Sequence, residues 1–217
     1  MTNTLETITR ERFIVLLRGV VPGNIDKVLH ALREGGIKIL EITFDPADAD
    51  TIAKTSACLE KSIAAGMLTG AGTVLNAEML EAAHKAGAKF IVSPNTDIEL
   101  IKRTKELGLL SIPGAYTPSE IVKAHNAGAD LVKVFPVLPH QIDYLKVIMA
   151  PLSHIKFIVT GGVNPETAAT FLAAGVTAVA AGASIVKPEL VAAQQWNEIT
   201  RLAKAHLRAI NNGVCNV

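Results

Sequence analysis

The stretch NAGADLVKVFP, Asn126 to Pro136, decides how the rest of the chain is read. It opens as the end of a helix and passes through Gly128. It then runs as an apolar strand that carries one lysine, Lys133. Glycine takes the left-handed conformation that closes a helix C-terminus, so the chain leaves the helix and enters a sheet at once. The same junction recurs as EGGIKILEIT, KAGAKFIVSP, ELGLLSIPG and AAGVTAVAAG.

The opposite turn, from strand to helix, is marked as regularly. YTPSE places Thr117 as N-cap, Pro118 at the first helical position and Glu120 to complete a capping box. VNPET offers Asn164 as a cap before Pro165, NTDIE offers Thr96 with Glu99, and LNAEM offers Asn76. The helices are amphipathic: Ile25, Val28, Leu29 and Leu32 recur at helical spacing. The strands are continuous apolar runs, as in a parallel sheet buried on both faces.

Strands are expected to begin near Phe13, Ile37, Met67, Lys89, Leu109, Asp130, Lys156 and Thr177, each followed by a helix. A short leader helix precedes the first, and the last helix is expected over roughly 189–209. This predicts an α/β fold, a (β/α)8 TIM barrel, as a single domain over residues 1–217. An open doubly wound sheet is the alternative. It usually has fewer strands, and no GxGxxG follows the first strand here.

Composition bounds the function. With 49% hydrophobic and 19% charged residues, the chain suits a soluble protein with a sizeable core. A net charge of +1 and 4% aromatics, with no basic patch, argue against a nucleic-acid partner. No apolar run approaches the roughly 20 residues that span a bilayer. The start, MTNTLETITRERF, has no apolar signal region, and neither Cys58 nor Cys215 belongs to a CxxC pair, so a reducing cytoplasm is expected. Histidines 30, 84, 125, 140, 154 and 206 fall mostly in helices or at their ends and read as surface residues. With no HxxxH or HExxH, Walker or GxSxG motif, no metal or cofactor is expected.

Active sites of such barrels lie at the C-terminal ends of the strands. Lys38, Lys89 and Lys156 start their strands and reach water at the opposite face. Lys133 comes late in its strand. It lies five residues after Gly128, as Glu41 lies five after Gly36. These are strands six and two, and alternate strands fill the same interior layer, so the two side chains are expected to meet. A buried structural ion pair is the plain alternative, although buried charges are costly even when paired. A desolvated lysine has its pKa pushed down, and its neutral amine can attack a carbonyl to form a Schiff base. A neighbouring carboxylate can then move protons.

Arg18 ends the first strand, where a guanidinium can clamp a carboxylate. Thr73 ends GAGTV and Thr160 ends FIVTGG, while Pro94, Pro113 and Phe135 shape the mouth. TGGVNPE holds Gly161 and Gly162, and AGASIV holds Gly182 and Ser184. These follow strands seven and eight, the frequent phosphate site of this fold.

LEITF, GAGTV, FIVSPN, IPGAYTPSE, LVKVFP, FIVTGGVNPE and AAGASIV together resemble the 2-keto-3-deoxy-6-phosphogluconate (KDPG) aldolase family, some of whose members also act on 4-hydroxy-2-oxoglutarate. The likeness runs from about Arg12 to Val186. It implies a class I, metal-free aldolase of the Entner–Doudoroff type, releasing pyruvate and glyceraldehyde 3-phosphate and assembling as a homotrimer. By position it implies Lys133 as the Schiff-base lysine and Glu41 as the general acid–base. Arg18, Thr73, Pro94, Phe135 and Thr160 fall at the pyruvate end, and Gly161, Gly162, Gly182 and Ser184 at the phosphate. Many members read EVTLRT where this chain reads EITFDP. Asp45 stands in place of their carboxylate-binding arginine and looks like a helix N-cap before Pro46, so the clamp falls to Arg18, as in another branch of the family. The loop PVLPHQIDYLK lacks glycines often seen there. Thr160 before the glycine pair leans towards the gluconate rather than the galactonate epimer. A sugar-phosphate isomerase or epimerase using Glu41 as base, and a non-catalytic phosphometabolite binder, are the other readings of the same barrel.

Overall fold

The computed structural model describes residues 4–214; Cys215 and the other terminal residues lie outside that range. Helix α1 (Thr4–Glu11) leads into strand β1 (Phe13–Leu17). The chain then alternates through α2 (Ile25–Glu34), β2 (Ile39–Thr43), α3 (Thr51–Ala64), β3 (Leu68–Gly72), α4 (Ala77–Lys85), β4 (Phe90–Val92) and α5 (Ile98–Glu106). It continues with β5 (Leu110–Ile112), β6 (Gly114–Ala115), α6 (Pro118–Asn126), β7 (Val132–Val134), α7 (Ile142–Met149) and β8 (Phe157–Thr160). Last come α8 (Pro165–Ala173), β9 (Ala178–Ala181), α9 (Pro188–Ala192) and α10 (Trp196–Val214). Strands begin within about two residues of the expected positions, the usual uncertainty of element ends.

Among the described residues, nine parallel strands form one sheet in the order β5-β4-β3-β2-β1-β9-β8-β7-β6. β5 pairs with β4 and β6 pairs with β7. The two ends of the sheet are therefore consecutive halves of one strand, and the barrel closes through it. Pro113 sits at the break, where it has no N–H to give a ladder. Its carbonyl still accepts the Lys133 N–H at 2.8 Å. Nine strands thus occupy the eight positions of a (β/α)8 barrel.

Two apolar clusters fill the molecule. The larger lies between strands and helices and includes Val15, Leu40, Ile42 and Val132. The smaller lies inside the barrel and includes Ile14, Ile39, Phe90, Leu131 and Ile158, with Ile8 of α1 fully buried among them. The leader helix therefore caps the N-terminal end and leaves the other end open. Gly36 and Gly128 close their helices with φ of 88° and 104°, the left-handed values the sequence pattern requires.

Asn76 and Asn164 cap their helices, and Thr117 with Glu120 forms the capping box. Other local expectations fail. The cap of α5 is Asp97, which accepts the Leu100 N–H at 3.1 Å, while Thr96 donates to the Gly114 carbonyl at 2.8 Å. The last helix is interrupted between α9 and α10, where Gln194 turns left-handed at φ 53° and ends the first piece. His206 is not a surface residue: its ring is fully buried under α10. Cys58 is buried too, and burial pushes its thiol up to about 11, which removes it as a thiolate nucleophile. Among the described residues, no helix is long and apolar enough to cross a membrane.

Candidate active site

Alternation along each strand decides which side chains enter the barrel. Ile39 belongs to the interior cluster, so Glu41 and Thr43 point inwards with it. Leu131 places Lys133 inside, and Ile158 does the same for Thr160. Ile14 and Leu16 carry the pattern on to Arg18 at the mouth. Lys38, Lys89 and Lys156 are exposed at the strand starts, as expected. Lys38 pairs with Glu11 at 3.0 Å.

Glu41 is 5% exposed and Lys133 8%. Burial pushes the Lys133 ammonium below the ordinary lysine range; the Glu41 charge opposes this and the Arg18 charge adds to it. Burial likewise raises Glu41 above the usual carboxylate range, against the pull of Lys133, a hydrogen bond from Thr43 and the charge of Arg18. Lys133 and Glu41 thus sense each other's charge, and both sense that of Arg18. Among the described residues, Lys133 Nζ is held in no salt bridge or hydrogen bond, and the aromatic face of Phe135 lies 4.7 Å from it. A structural ion pair would have locked that amine, whereas here it is left available. Both shifts favour uncharged forms, an amine able to attack and a carboxyl able to give and take a proton.

Sequence reading missed two supports of Glu41. Thr43 Oγ1 donates to Glu41 Oε1 from 3.4 Å. Its signal was the spacing of two on one strand. Gly72 on β3 lies under the carboxylate, and a Cβ there would fall on Glu41 Oε1. Only glycine leaves the Glu41 side chain its place.

Beside this pair, a cleft of about 580 Å³ opens at the C-terminal ends of β1, β8 and β9, lined by Arg18, Thr160, Gly161, Gly162, Asn164 and Ser184 among others. Arg18 is exposed, and among the described residues no carboxylate is paired with it. Gly161 and Gly162 have φ of 118° and 58°, and a Cβ on Gly161 would meet the Val137 carbonyl oxygen at 2.8 Å. Among the described residues, no protein acceptor takes the N–H of Gly162, Val163, Ala183 or Ser184. Unpaired amides in two adjacent loops, one of them leading into α8, suit an anion.

The remaining expected residues gather at the same end. Thr73 follows β3 in a left-handed conformation, φ 55°, which is costly for a β-branched residue and typical of functional sites. Pro94 follows β4, and its carbonyl packs against Gly114. Asp45 does not cap a helix. Its carboxylate accepts the Ala47 N–H at 3.0 Å across Pro46, and α3 starts only at Thr51, whose hydroxyl accepts the Asp45 N–H at 2.8 Å. Pro46 is held in this turn rather than in a first helical turn. Among the described residues, no three His, Cys, Asp or Glu side chains are grouped to hold a metal.

Known proteins resemble this chain along most of its length. The family model described as KDPG and KHG aldolase matches residues 6–202. A 2-dehydro-3-deoxy-6-phosphogalactonate aldolase of Escherichia coli (strain K12) is 30% identical over 95% of this chain and 98% of its own. A 2-dehydro-3-deoxy-phosphogluconate aldolase of Pseudoalteromonas atlantica is 33% identical over 80% of each chain. The crystal structure of a KDPG aldolase from Legionella pneumophila, with pyruvate captured as a covalent carbinolamine, superposes with a TM-score of 0.82 at 28% identity, over 94% of this chain and 98% of that one.

Proposed function

This chain belongs to the KDPG and KHG aldolase family, and is thus an aldolase, a lyase; from that premise we propose that it is a class I enzyme whose Lys133 forms a Schiff base with the ketone of 2-keto-3-deoxy-6-phosphogluconate. The observation that carries this is Lys133 itself: a buried, unpaired amine with its pKa lowered by burial, beside Glu41 and facing the open end of the barrel.

Neutral Lys133 adds to C2, and water leaves the carbinolamine to give an iminium. Glu41 supplies and recovers the protons. The Glu41 carboxylate then takes the proton of the C4 hydroxyl, the C3–C4 bond breaks, and its electron pair enters the iminium to give an enamine. Glyceraldehyde 3-phosphate departs. Protonation at C3 and hydrolysis release pyruvate and free Lys133. Arg18, Thr73, Pro94, Phe135 and Thr160 hold the pyruvate end. Gly161, Gly162, Gly182 and Ser184 hold the phosphate. The same cycle on 4-hydroxy-2-oxoglutarate gives pyruvate and glyoxylate. No cofactor enters these steps.

The galactonate epimer is the second reading, favoured by the phosphogalactonate aldolase names among relatives near 30% identity. Thr160 before the glycine pair supports the gluconate. Pyruvate release from both epimers and from hydroxyoxoglutarate ranks the three. An isomerase would need no covalent lysine. Borohydride with pyruvate is expected to add a pyruvyl group to Lys133; full activity in Lys133→Ala, or no adduct, overturns the mechanism. By family likeness the enzyme is a homotrimer, to be checked by light scattering for three times the 22.9 kDa chain; the chain is read as one barrel domain, and its two cysteines outside any CxxC pair suit a reducing cytoplasm.

A further inference from the structure

A chain of hydrogen bonds behind the cleft is not used by the cleavage chemistry. Ser184, in the loop after β9, has its Oγ 3.0 Å from the carbonyl of Val163, in the loop after β8. The same oxygen lies 3.0 Å from His206 Nε2 on α10. His206 Nδ1 lies 2.8 Å from the Leu202 carbonyl one turn back. The imidazole is fully buried and stacks on Phe13, the first residue of β1, with centroids 5.8 Å apart and planes at 12°. One serine hydroxyl therefore ties together the two loops that offer their amides to the cleft. One buried ring ties that serine to the barrel wall and the last helix.

Proton accounting sets the roles. A carbonyl only accepts, so Nδ1 carries a hydrogen towards Leu202. In the neutral ring Nε2 then presents a lone pair, and the single Ser184 proton faces two acceptors, Nε2 and the Val163 carbonyl. In the imidazolium, Nε2–H donates to Ser184 and the hydroxyl proton is free for one acceptor. The groups facing the ring are few: the Phe13 face from β1, the Ser184 hydroxyl from the loop, the Leu202 carbonyl from α10, and the charge of Glu166 from α8. Burial disfavours the charged ring, and Glu166 and the Leu202 carbonyl favour it. A buried histidine with both nitrogens engaged orients whatever it holds.

We propose that His206 is a positioning residue for the anion subsite: through Ser184 it fixes the loops after β8 and β9 so that their amides hold a phosphoryl group. It touches no substrate atom. The inference rests on reading the cleft as the phosphate end of an aldolase site.

The test separates phosphorylated from unphosphorylated ligands. His206→Leu keeps bulk against Phe13 and removes both nitrogens. It is expected to raise KM for the phosphorylated keto acid about tenfold at nearly unchanged kcat, the effect of one loop amide losing its hydrogen bond to the charged phosphoryl group. It should weaken competition by inorganic phosphate by a similar factor. KM for 4-hydroxy-2-oxoglutarate and pyruvate trapping at Lys133 should not move. His206→Gln, whose amide reaches the place of Nε2, should restore most of the affinity, and His206→Asn, which reaches only the place of Nδ1, should not. Ser184→Ala should reproduce the loss, and adding His206→Leu to it should cost little more. Equal effects on both substrates, a fall in kcat alone, or phosphate affinity unchanged in a folded variant overturns the proposal. Wild-type protein that binds phosphate but traps no pyruvate would sink the aldolase reading instead, with the phosphate comparison still deciding the role of His206.

Discussion

Gly72→Ala isolates what the position of Glu41 contributes. The added Cβ falls on Glu41 Oε1, with the carboxylate carbon next nearest. Glu41 Cγ follows at 2.7 Å, so the whole of this flexible side chain must turn aside while the backbone of the strand stays in place. Alanine also gives the strand back about 0.5–1 kcal/mol of backbone entropy. The melting temperature should therefore barely change. Catalysis should not be spared, because a displacement of about 1 Å at a reacting group costs roughly 10²-fold. Pyruvate release, followed by a coupled dehydrogenase, is expected to show kcat down about 100-fold, or ~2.7 kcal/mol of barrier. Gly70→Ala is the control on the same strand. Its Cβ would strike the ring of Phe90, which is fully buried and has nowhere to turn. Overpacking of that kind costs about 1–3 kcal/mol, or about 2–12 °C of melting temperature at this size. One alanine thus reads out in activity and its neighbour in stability. A folded Gly72→Ala enzyme with wild-type kcat would refute the assignment of Glu41 as the proton-transfer group.

The rate of borohydride trapping at Lys133 should rise with pH and level off below pH 10.5, where an ordinary lysine titrates, because burial lowers its pKa; a rate still climbing there would mark an ordinary amine. Glu41→Gln should cut kcat by about 10²–10⁴ without lowering the melting temperature at neutral pH. The sign follows from the raised carboxyl: it binds its proton more tightly folded than unfolded, so its contribution to stability declines as pH rises through its native pKa, and a neutral amide escapes that decline. A clear loss of stability would mean that Glu41 is held as a structural charge. Arg18→Ala should raise KM for keto acids about 10- to 100-fold, as expected for a lost bidentate clamp on a carboxylate, and leave the melting temperature unchanged; an unaltered KM would move the clamp elsewhere. Ile8→Ala, which empties the plug at the closed end, should cost about 2–5 kcal/mol while leaving KM alone, measured by urea denaturation and steady-state kinetics.

The barrel was legible because its grammar is local. Each glycine after a helix and each capped turn before one is a statement about a few consecutive residues, and enough of them in register leave few folds open. Lys133 and Glu41 were legible for the same reason: a fixed distance from equivalent glycines, combined with strand alternation, puts both inside. Asp97 in place of Thr96 shows the limit even at short range, since two neighbouring residues can each cap and only the Gly114 carbonyl beside Thr96 decides between them.

By itself, then, the sequence determined the repeating unit and the lysine and carboxylate that both point into the barrel, late in their strands at the end where this fold carries its sites. Only the tertiary structure decided what surrounds them. The room that Gly72 leaves for Glu41, the closing of the sheet through a strand broken at Pro113, and the link from His206 through Ser184 to Val163 each join residues far apart in the chain. No periodicity encodes such contacts. They arise when strands and helices pack around one axis, and a histidine that reads as one more polar residue on a surface helix is sealed beneath the cleft.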